Sequence, residues 1–252
     1  MYRSRTDISG RSALVTGGAR GIGREIVRAL NEFGANVLIV DLLEDEGRSV
    51  VAELDRPDAR VEFFRGDVRD KAQVTAAFDA AEAAFGSLQI VVTSAGVVEH
   101  LPSNDVVEDG WRYVMDTNVD GTFWAAQEAG RRLARGGSVI TIGSMSGLIV
   151  NHPQPQASYN ASKAAVHALT SSLAVEHAPA GIRFNSVAPG YIATDLTVHV
   201  RPDWIEKWKQ LTPTGEMGTT QDVASLVAFL ASDAASFMTG SVLTIDGGYT
   251  SW

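Results

Sequence analysis

The sequence predicts an α/β fold: a doubly wound, parallel, seven-stranded sheet with helices on both faces, in one domain spanning 1–252. Two observations predict it. Seven short apolar runs recur along the 252 residues, and stretches with helical spacing separate them. Such runs lack the polar alternation of a half-exposed strand, as strands covered on both faces do. A glycine-rich turn joins the first run to the first helix, and an acid closes the second run. Strands alternating with helical crossovers build parallel sheets.

The elements follow in order. "SALVTG", 12–17, is an apolar run that enters the glycine turn. "REIVRALNEFG", 24–34, sets Ile26, Val27, Leu30 and Phe33 near helical spacing, with Gly34 as its stop. "NVLIVD", 36–41, is the second strand, "GRSVVAEL" a helix and "VEFFRGD" the third strand. "KAQVTAAFDAAEAAFG" is a helix closed by glycine, and "LQIVVTSAG" a strand entering a turn. Long helical material is expected over 105–135, then the strand "SVITIGS", a helix over 159–177 and the strand "IRFNSVAP". "TQDVASLVAFLAS" is the last long helix and "VLTIDGG" the seventh strand. The least regular stretch, 190–219, sits between a strand end and a helix, the place for a lid over a site. Within it "DWIEKWKQL" puts Trp204 and Trp208 on one helical face, which either packs on the body or closes over a crevice. Pro189 and Gly190 are candidate hinge residues.

Composition narrows the function. Hydrophobic residues make up 45% and charged residues 20%, ordinary for a soluble domain, and only "MYRSRTD" at the start invites disorder. The formal net charge of -9 argues against a nucleic-acid partner, whose phosphates are met by Lys and Arg. There is no Cys, so disulfides, thiol chemistry and thiolate metal sites are excluded. No His, Asp or Glu set has metal-site spacing, and no metal is expected. No apolar core follows the N-terminal charges and no run of 18 apolar residues occurs, so neither a secretory signal nor a membrane partner is expected. The expected location is cytoplasmic.

The turn "TGGARGIG", 16–23, carries Gly17, Gly18, Gly21 and Gly23 between strand and helix. Side chains there would block a pyrophosphate, and the following helix offers it free N–H groups and a positive dipole end. Arg20 stands in the same turn and can pair with a phosphate. Asp41, at the end of the second strand, can accept from both ribose hydroxyls of an adenosine and would repel a 2′-phosphate, which favours NAD over NADP. Asp67 can receive an adenine amino group, with Val68 against the ring. Ser94, Ala95 and Gly96 end the fourth strand with little bulk, which leaves room for the same ligand.

"SYNASKAAV", 158–166, holds Tyr159 and Lys163 four apart, hence on one helix face. Ser144 ends the preceding strand. In a parallel sheet, strand ends and helix starts gather on one edge, so three polar heads converge beside the expected dinucleotide. Oxidising an alcohol needs a proton acceptor as hydride leaves. A free Tyr, with a pKa of about 10, is a poor base near neutrality, and an adjacent ammonium would lower that value. Ser144 can donate to the substrate oxygen as its charge changes. Lys163 can hold a ribose, and Asn118 can hold a water that links Lys163 to solvent or serve as a packing amide.

These motifs together resemble the short-chain dehydrogenase/reductase family, over nearly the whole chain. The TGxxxGxG turn is Thr16 to Gly23, the YxxxK pair is Tyr159 and Lys163, and the catalytic Ser and Asn positions match Ser144 and Asn118. Pro189 and Gly190 match the Pro-Gly after the sixth strand, and Ile192 and Thr194 the segment that meets the carboxamide. One departure is visible: the usual Asn-Asn-Ala-Gly reads Thr93-Ser94-Ala95-Gly96. The resemblance implies a Rossmann-type fold and a homotetramer, with the helices over 105–135 and 159–177 at one interface and "GGYTSW" near another.

The stretch 144–166 looks like that of polyol dehydrogenases acting on galactitol, arabinitol or sorbitol, some of which hold a structural magnesium near the C-terminus. A secondary alcohol, polyol or diol, and its ketone are then the expected substrates. Ser146, Asn151 and Gln156, with Ser144 and Tyr159, are the candidate substrate contacts. Met145, Leu148, Ile149 and Val150 are apolar, so a plain diol or a bulky secondary alcohol fits as well. A 3-oxoacyl thioester reductase is the rival enzyme, and a non-catalytic dinucleotide sensor the rival class.

Overall fold

In a computed structural model that describes residues 2–198 and 201–252, the seven apolar runs become β1 (Ser12–Thr16), β2 (Asn36–Asp41), β3 (Val61–Arg65), β4 (Ile90–Thr93), β5 (Ser138–Ile142), β6 (Arg183–Pro189) and β7 (Val242–Ile245). They pair in the order β3-β2-β1-β4-β5-β6-β7, every pair parallel. This is the Rossmann-type sheet the sequence predicts. Successive strand residues point to opposite faces, and both faces are apolar here. Ala13, Val15, Val37, Ile39, Ile90 and Val187 join one buried cluster; Leu14, Leu38, Val40, Val91 and Val139 join another.

Helices cover each cluster. On the first side lie α2 (Gly21–Glu32), α3 (Glu44–Leu54) and α10 (Thr220–Ala231), through Ile26, Leu30, Val50, Val223 and Val227. On the second lie α4 (Lys71–Phe85), α6 (Gly121–Arg132) and α7 (Ala157–His177), through Val74, Phe78, Ala125, Ala129 and Leu173. The shorter α1 (Tyr2–Arg5), α5 (Glu108–Met115), α8 (Asp195–Val198) and α9 (Pro202–Leu211) complete the set.

One expectation is corrected. The N-terminus is not disordered from Tyr2 onward, because Arg5 donates to the Asp233 carbonyl at 2.7 Å and to Ser236 at 2.8 Å; Met1 lies outside the described residues. The helical material expected over 105–135 forms over Glu108–Arg132, with a π-helical turn, Asp116–Asp120, between α5 and α6. The 190–219 segment carries α8 and, over the expected helical face of Trp204 and Trp208, α9; its His199 and Val200 lie outside the described residues. A methyl on Gly190 would come within 2.7 Å of the Asp246 backbone.

The strand order reverses between β1 and β4, and the strand ends open a crevice at that point. Two glycines let it form. Gly17 has φ +69°, and a Cβ there would fall 2.6 Å from the Ala95 backbone. A methyl on Gly23 would overlap the Gly17 carbonyl oxygen, so α2 starts directly against the turn. Gly23→Ala should therefore push α2 off the turn, with an expected loss of about 1–3 kcal/mol, typical of overpacking. Urea denaturation checks this; an unchanged midpoint would show that the helix start yields without strain.

Candidate active site

The crevice is a cleft of about 640 Å³ along the C-terminal edge of the sheet. Every residue the sequence assigns to a dinucleotide lines it. Gly17, Arg20, Gly21, Ile22 and Gly23 form one end with Asp41. Asp67 and Val68 flank them, Ser94, Ala95 and Gly96 form the floor, and Pro189, Gly190, Ile192 and Thr194 form the far wall with Tyr159 and Lys163.

The cleft suits a dinucleotide on its own evidence. The residue before α2, Arg20, makes no side-chain cap, so no side chain takes the amides of the first turn of α2. The Asp41 carboxylate is held rigid by the N–H groups of Ala19 at 3.0 Å and Leu43 at 3.1 Å. A Cβ on Gly96 would meet Asn118 Oδ1 at 3.4 Å and Lys163 Nζ at 3.5 Å, so the bare glycine keeps the cleft open beside both. Asp67 is engaged already: Arg69 bonds both its oxygens, at 2.6 to 3.0 Å, and holds its carboxyl below the usual range.

Ser144 and Tyr159 meet where this cleft joins a second, smaller pocket of about 80 Å³. Ser144 Oγ accepts the Ser146 N–H at 3.1 Å. Lys163, 6% exposed, donates from Nζ to the Ile142 carbonyl at 2.7 Å and lies 5.6 Å from the Tyr159 ring centroid.

Known proteins share this architecture. A family model described as enoyl-(acyl carrier protein) reductase matches residues 17–250. A solved short-chain type dehydrogenase/reductase from Mycobacterium marinum superposes with a TM-score of 0.94, at 39% identity over 99% of both chains. The chain belongs to the short-chain dehydrogenase/reductase family. Among its relatives are galactitol 2-dehydrogenase (L-tagatose-forming) of Cereibacter sphaeroides, 42% identical over 100% of this chain and 99% of that one. The galactitol 2-dehydrogenase of Rhizobium johnstonii is 43% identical with the same coverage. This short-chain dehydrogenase/reductase is thus an oxidoreductase of alcohols and carbonyls that depends on a nicotinamide dinucleotide. Among the described residues, no helix is long and apolar enough to cross a membrane.

The structure revises the expected electrostatics. Burial pushes the Tyr159 phenol up, and only the hydrogen bond from Ser144 draws it back. The Lys163 ammonium points at Ile142 rather than at the phenol oxygen, and burial lowers its own pKa to about 8. The protein alone therefore does not lower the Tyr159 pKa as the four-residue spacing suggests. Asn118 is fully buried in the π turn. Its amide donates to the Val97 carbonyl and Ser162 Oγ, both at 2.9 Å, and accepts the Val97 N–H at 2.8 Å.

Ser146 and Gln156 line the smaller pocket with Ser144 and Tyr159; Asn151 does not, and instead bonds Tyr191 and Gln156 behind the wall. Sequence reasoning missed His100, Gln154 and Tyr191 in this pocket, and Tyr249 behind them. No local spacing signals these, since they come from four separate loops.

It also missed His167, although 159, 163 and 167 share one helix face. His167 Nε2 accepts the Ser144 N–H at 3.4 Å, while its Nδ1 is buried without a partner. Burial, aided by the Lys163 charge, lowers its pKa to about 4. Between pH 4 and the ordinary 6.5 the unfolded chain binds the proton and the folded one does not, so stability rises with pH over that window. His167→Gln keeps an acceptor but not the titration. Its unfolding free energy, measured in urea from pH 4 to 7, should climb less steeply than that of the parent.

Proposed function

We propose that this enzyme interconverts a secondary alcohol, a polyol or diol, and the corresponding ketone or ketose, with NAD as its cofactor. The observation that carries this reading is the junction: Ser144 and Tyr159 line both the dinucleotide cleft and a small polar pocket. A bound nicotinamide supplies the acceptor or donor of hydride. The chain's residues supply the rest. Tyr159 Oη takes the alcohol proton as the carbonyl forms, and returns it in the reverse direction. Ser144 Oγ donates to the same oxygen and steadies its changing charge. Lys163, fixed at Ile142, places a cation beside the phenol and the ribose. Asn118 fixes the loop after β4 against α7. Arg20 and the first turn of α2 would hold the pyrophosphate, Asp41 the adenosine ribose, and Thr194 the carboxamide.

The relatives that act on galactitol support a polyol, and so does the pocket. Ser146 and Gln156 are polar, and a space of about 80 Å³ is small for an acyl chain. The 190–219 segment acts in this reading as the cover, since Tyr191, Thr197 and Trp208 stand over the pocket. The reading also carries a homotetramer in the cytoplasm. Exposed apolar residues support the assembly: Trp111 and Tyr113 on α5, Val175 on α7, Phe237 and Trp252.

Activity with a panel of sugar alcohols, diols and ketoses, using both nicotinamide cofactors, tests the whole reading. Tyr159→Phe keeps the ring and removes the proton acceptor. It should retain NADH binding, followed by fluorescence titration, and lose most turnover, on the order of a hundredfold or more. Wild-type turnover in that variant would remove Tyr159 from the chemistry.

Asp41 makes a separate prediction. NAD should exceed NADP in kcat/KM by about tenfold or more, and Asp41→Ala should narrow that gap. Equal use of the two cofactors by the parent enzyme would contradict the role of Asp41.

A further inference from the structure

The pocket beside Ser144 and Tyr159 has a mixed lining. Part of it is apolar, built from Val98, Met145 and the stacked rings of Tyr191 and Trp208, whose centroids lie 4.2 Å apart. The polar ends of those rings are already taken up. Trp208 Nε1 donates to Gln154 Oε1 at 3.0 Å, and Gln154 Nε2 donates to the Tyr191 hydroxyl at 2.8 Å. The Tyr191 oxygen also accepts from Asn151 Nδ2 at 3.1 Å, and Tyr249 packs edge-on against the Tyr191 ring, centroids 5.4 Å apart.

The polar lining includes Ser146, Gln156 and His100. Gln156 Nε2 has three acceptors for its two hydrogens: Ser146 Oγ at 3.2 Å, Asn151 Oδ1 at 3.1 Å and Asn160 Oδ1 at 2.8 Å. The nitrogen end of that amide is saturated. His100 lines the same pocket, and a neutral imidazole carries one N–H donor and one acceptor nitrogen. Ser146 accepts from Gln156 and keeps its own proton to give. The edge of Trp204, 5.3 Å away at 83°, braces the imidazole. A donor and an acceptor thus line the same small pocket as Ser144 and Tyr159. The small group that both gives and takes a hydrogen bond is a hydroxyl.

We propose that His100 and Ser146 together read a hydroxyl on the carbon next to the reacting one, so that the enzyme favours vicinal diols and α-hydroxy ketones over simple secondary alcohols. This rests on the dehydrogenase reading above and names the part of the substrate that the pocket recognises. A pocket of about 80 Å³ holds only a few heavy atoms, enough for that neighbouring carbon, its hydroxyl and a short apolar extension against Tyr191 and Trp208. The remainder of a longer polyol extends outside it.

The test uses a matched pair, 2,3-butanediol and 2-butanol, with NAD as oxidant. The readout is the ratio of their kcat/KM values in the parent enzyme, His100→Leu and His100→Asn. NADH binding to the same samples shows that each variant is folded, since His100 does not line the dinucleotide cleft. The parent should prefer the diol. His100→Leu should lower the ratio about five- to tenfold, the worth of one net hydrogen bond. His100→Asn, which restores a donor and an acceptor, should recover part of it. Equal kcat/KM for both probes in the parent, or a ratio that His100→Leu leaves unmoved, overturns the inference while the dehydrogenase reading stands. Turnover confined to longer sugar alcohols overturns it as well. No turnover of these probes or of the wider alcohol panel overturns both.

Discussion

The bond from Lys163 Nζ to the Ile142 carbonyl ties the first turns of α7 to the end of β5. A buried ammonium without a partner is expensive, so Lys163 must stay at the end of β5, and α7 with it. One turn toward the helix start, Tyr159 then falls beside Ser144, which leaves the same strand. One turn the other way, His167 meets the Ser144 N–H. Three residues on one helix stripe therefore hold a single strand-end turn. The rigidity comes from burial: Ser144, Lys163 and His167 are all buried, and opening a bond among them and Ile142 would leave a polar atom unpaired.

The sheet topology brings the second reactant to this place. All seven strands run the same way, so every strand-to-helix turn lies on one edge. The reversal of order between β1 and β4 parts the helices there and opens the cleft between the glycine turn and the Ser144–Tyr159 pair. Asn118 joins the two halves. Its amide reaches Val97 after β4 and Ser162 on α7, and the π turn sets its position relative to both. A regular helix through 116–120 would rotate that side chain away, which gives a physical reason for the break between α5 and α6.

Local chemistry made much of this legible. Strands covered on both faces read as apolar runs, a turn that must admit a pyrophosphate reads as glycines, and a pair at i, i+4 reads as one helix face. Three kinds of feature were not legible. Electrostatic outcome depends on where a charge points, and only the fold shows Lys163 turned to Ile142. Helix breaks such as the π turn at Asn118 leave no compositional mark. The small pocket draws His100, Gln154 and Tyr191 from loops far apart in sequence, and Tyr249 supports it from near the C-terminus. Asn151 shows the same limit from the other side. Its polarity marked it as a substrate contact, while the fold sets it behind the wall, bonded to Tyr191.

This division between scaffold and pocket explains how one chemistry serves many substrates. Ser144, Tyr159 and Lys163 are tied to strands and a long helix through buried bonds, and a change there would disturb the core. The pocket wall is tied mainly to itself. Trp208 bonds Gln154, Gln154 bonds Tyr191, and Tyr191 stacks on Trp208 and meets Tyr249. Those contacts hold α9 over the pocket, and Asn151 and Gln156 link them only indirectly to Ser144, through Ser146. They can be rebuilt, one loop residue at a time, while the Ser144–Tyr159 pair stays in place. Substrate preference in such a fold is a property of the loops, and it follows from which of their donors and acceptors remain unpaired toward the pocket.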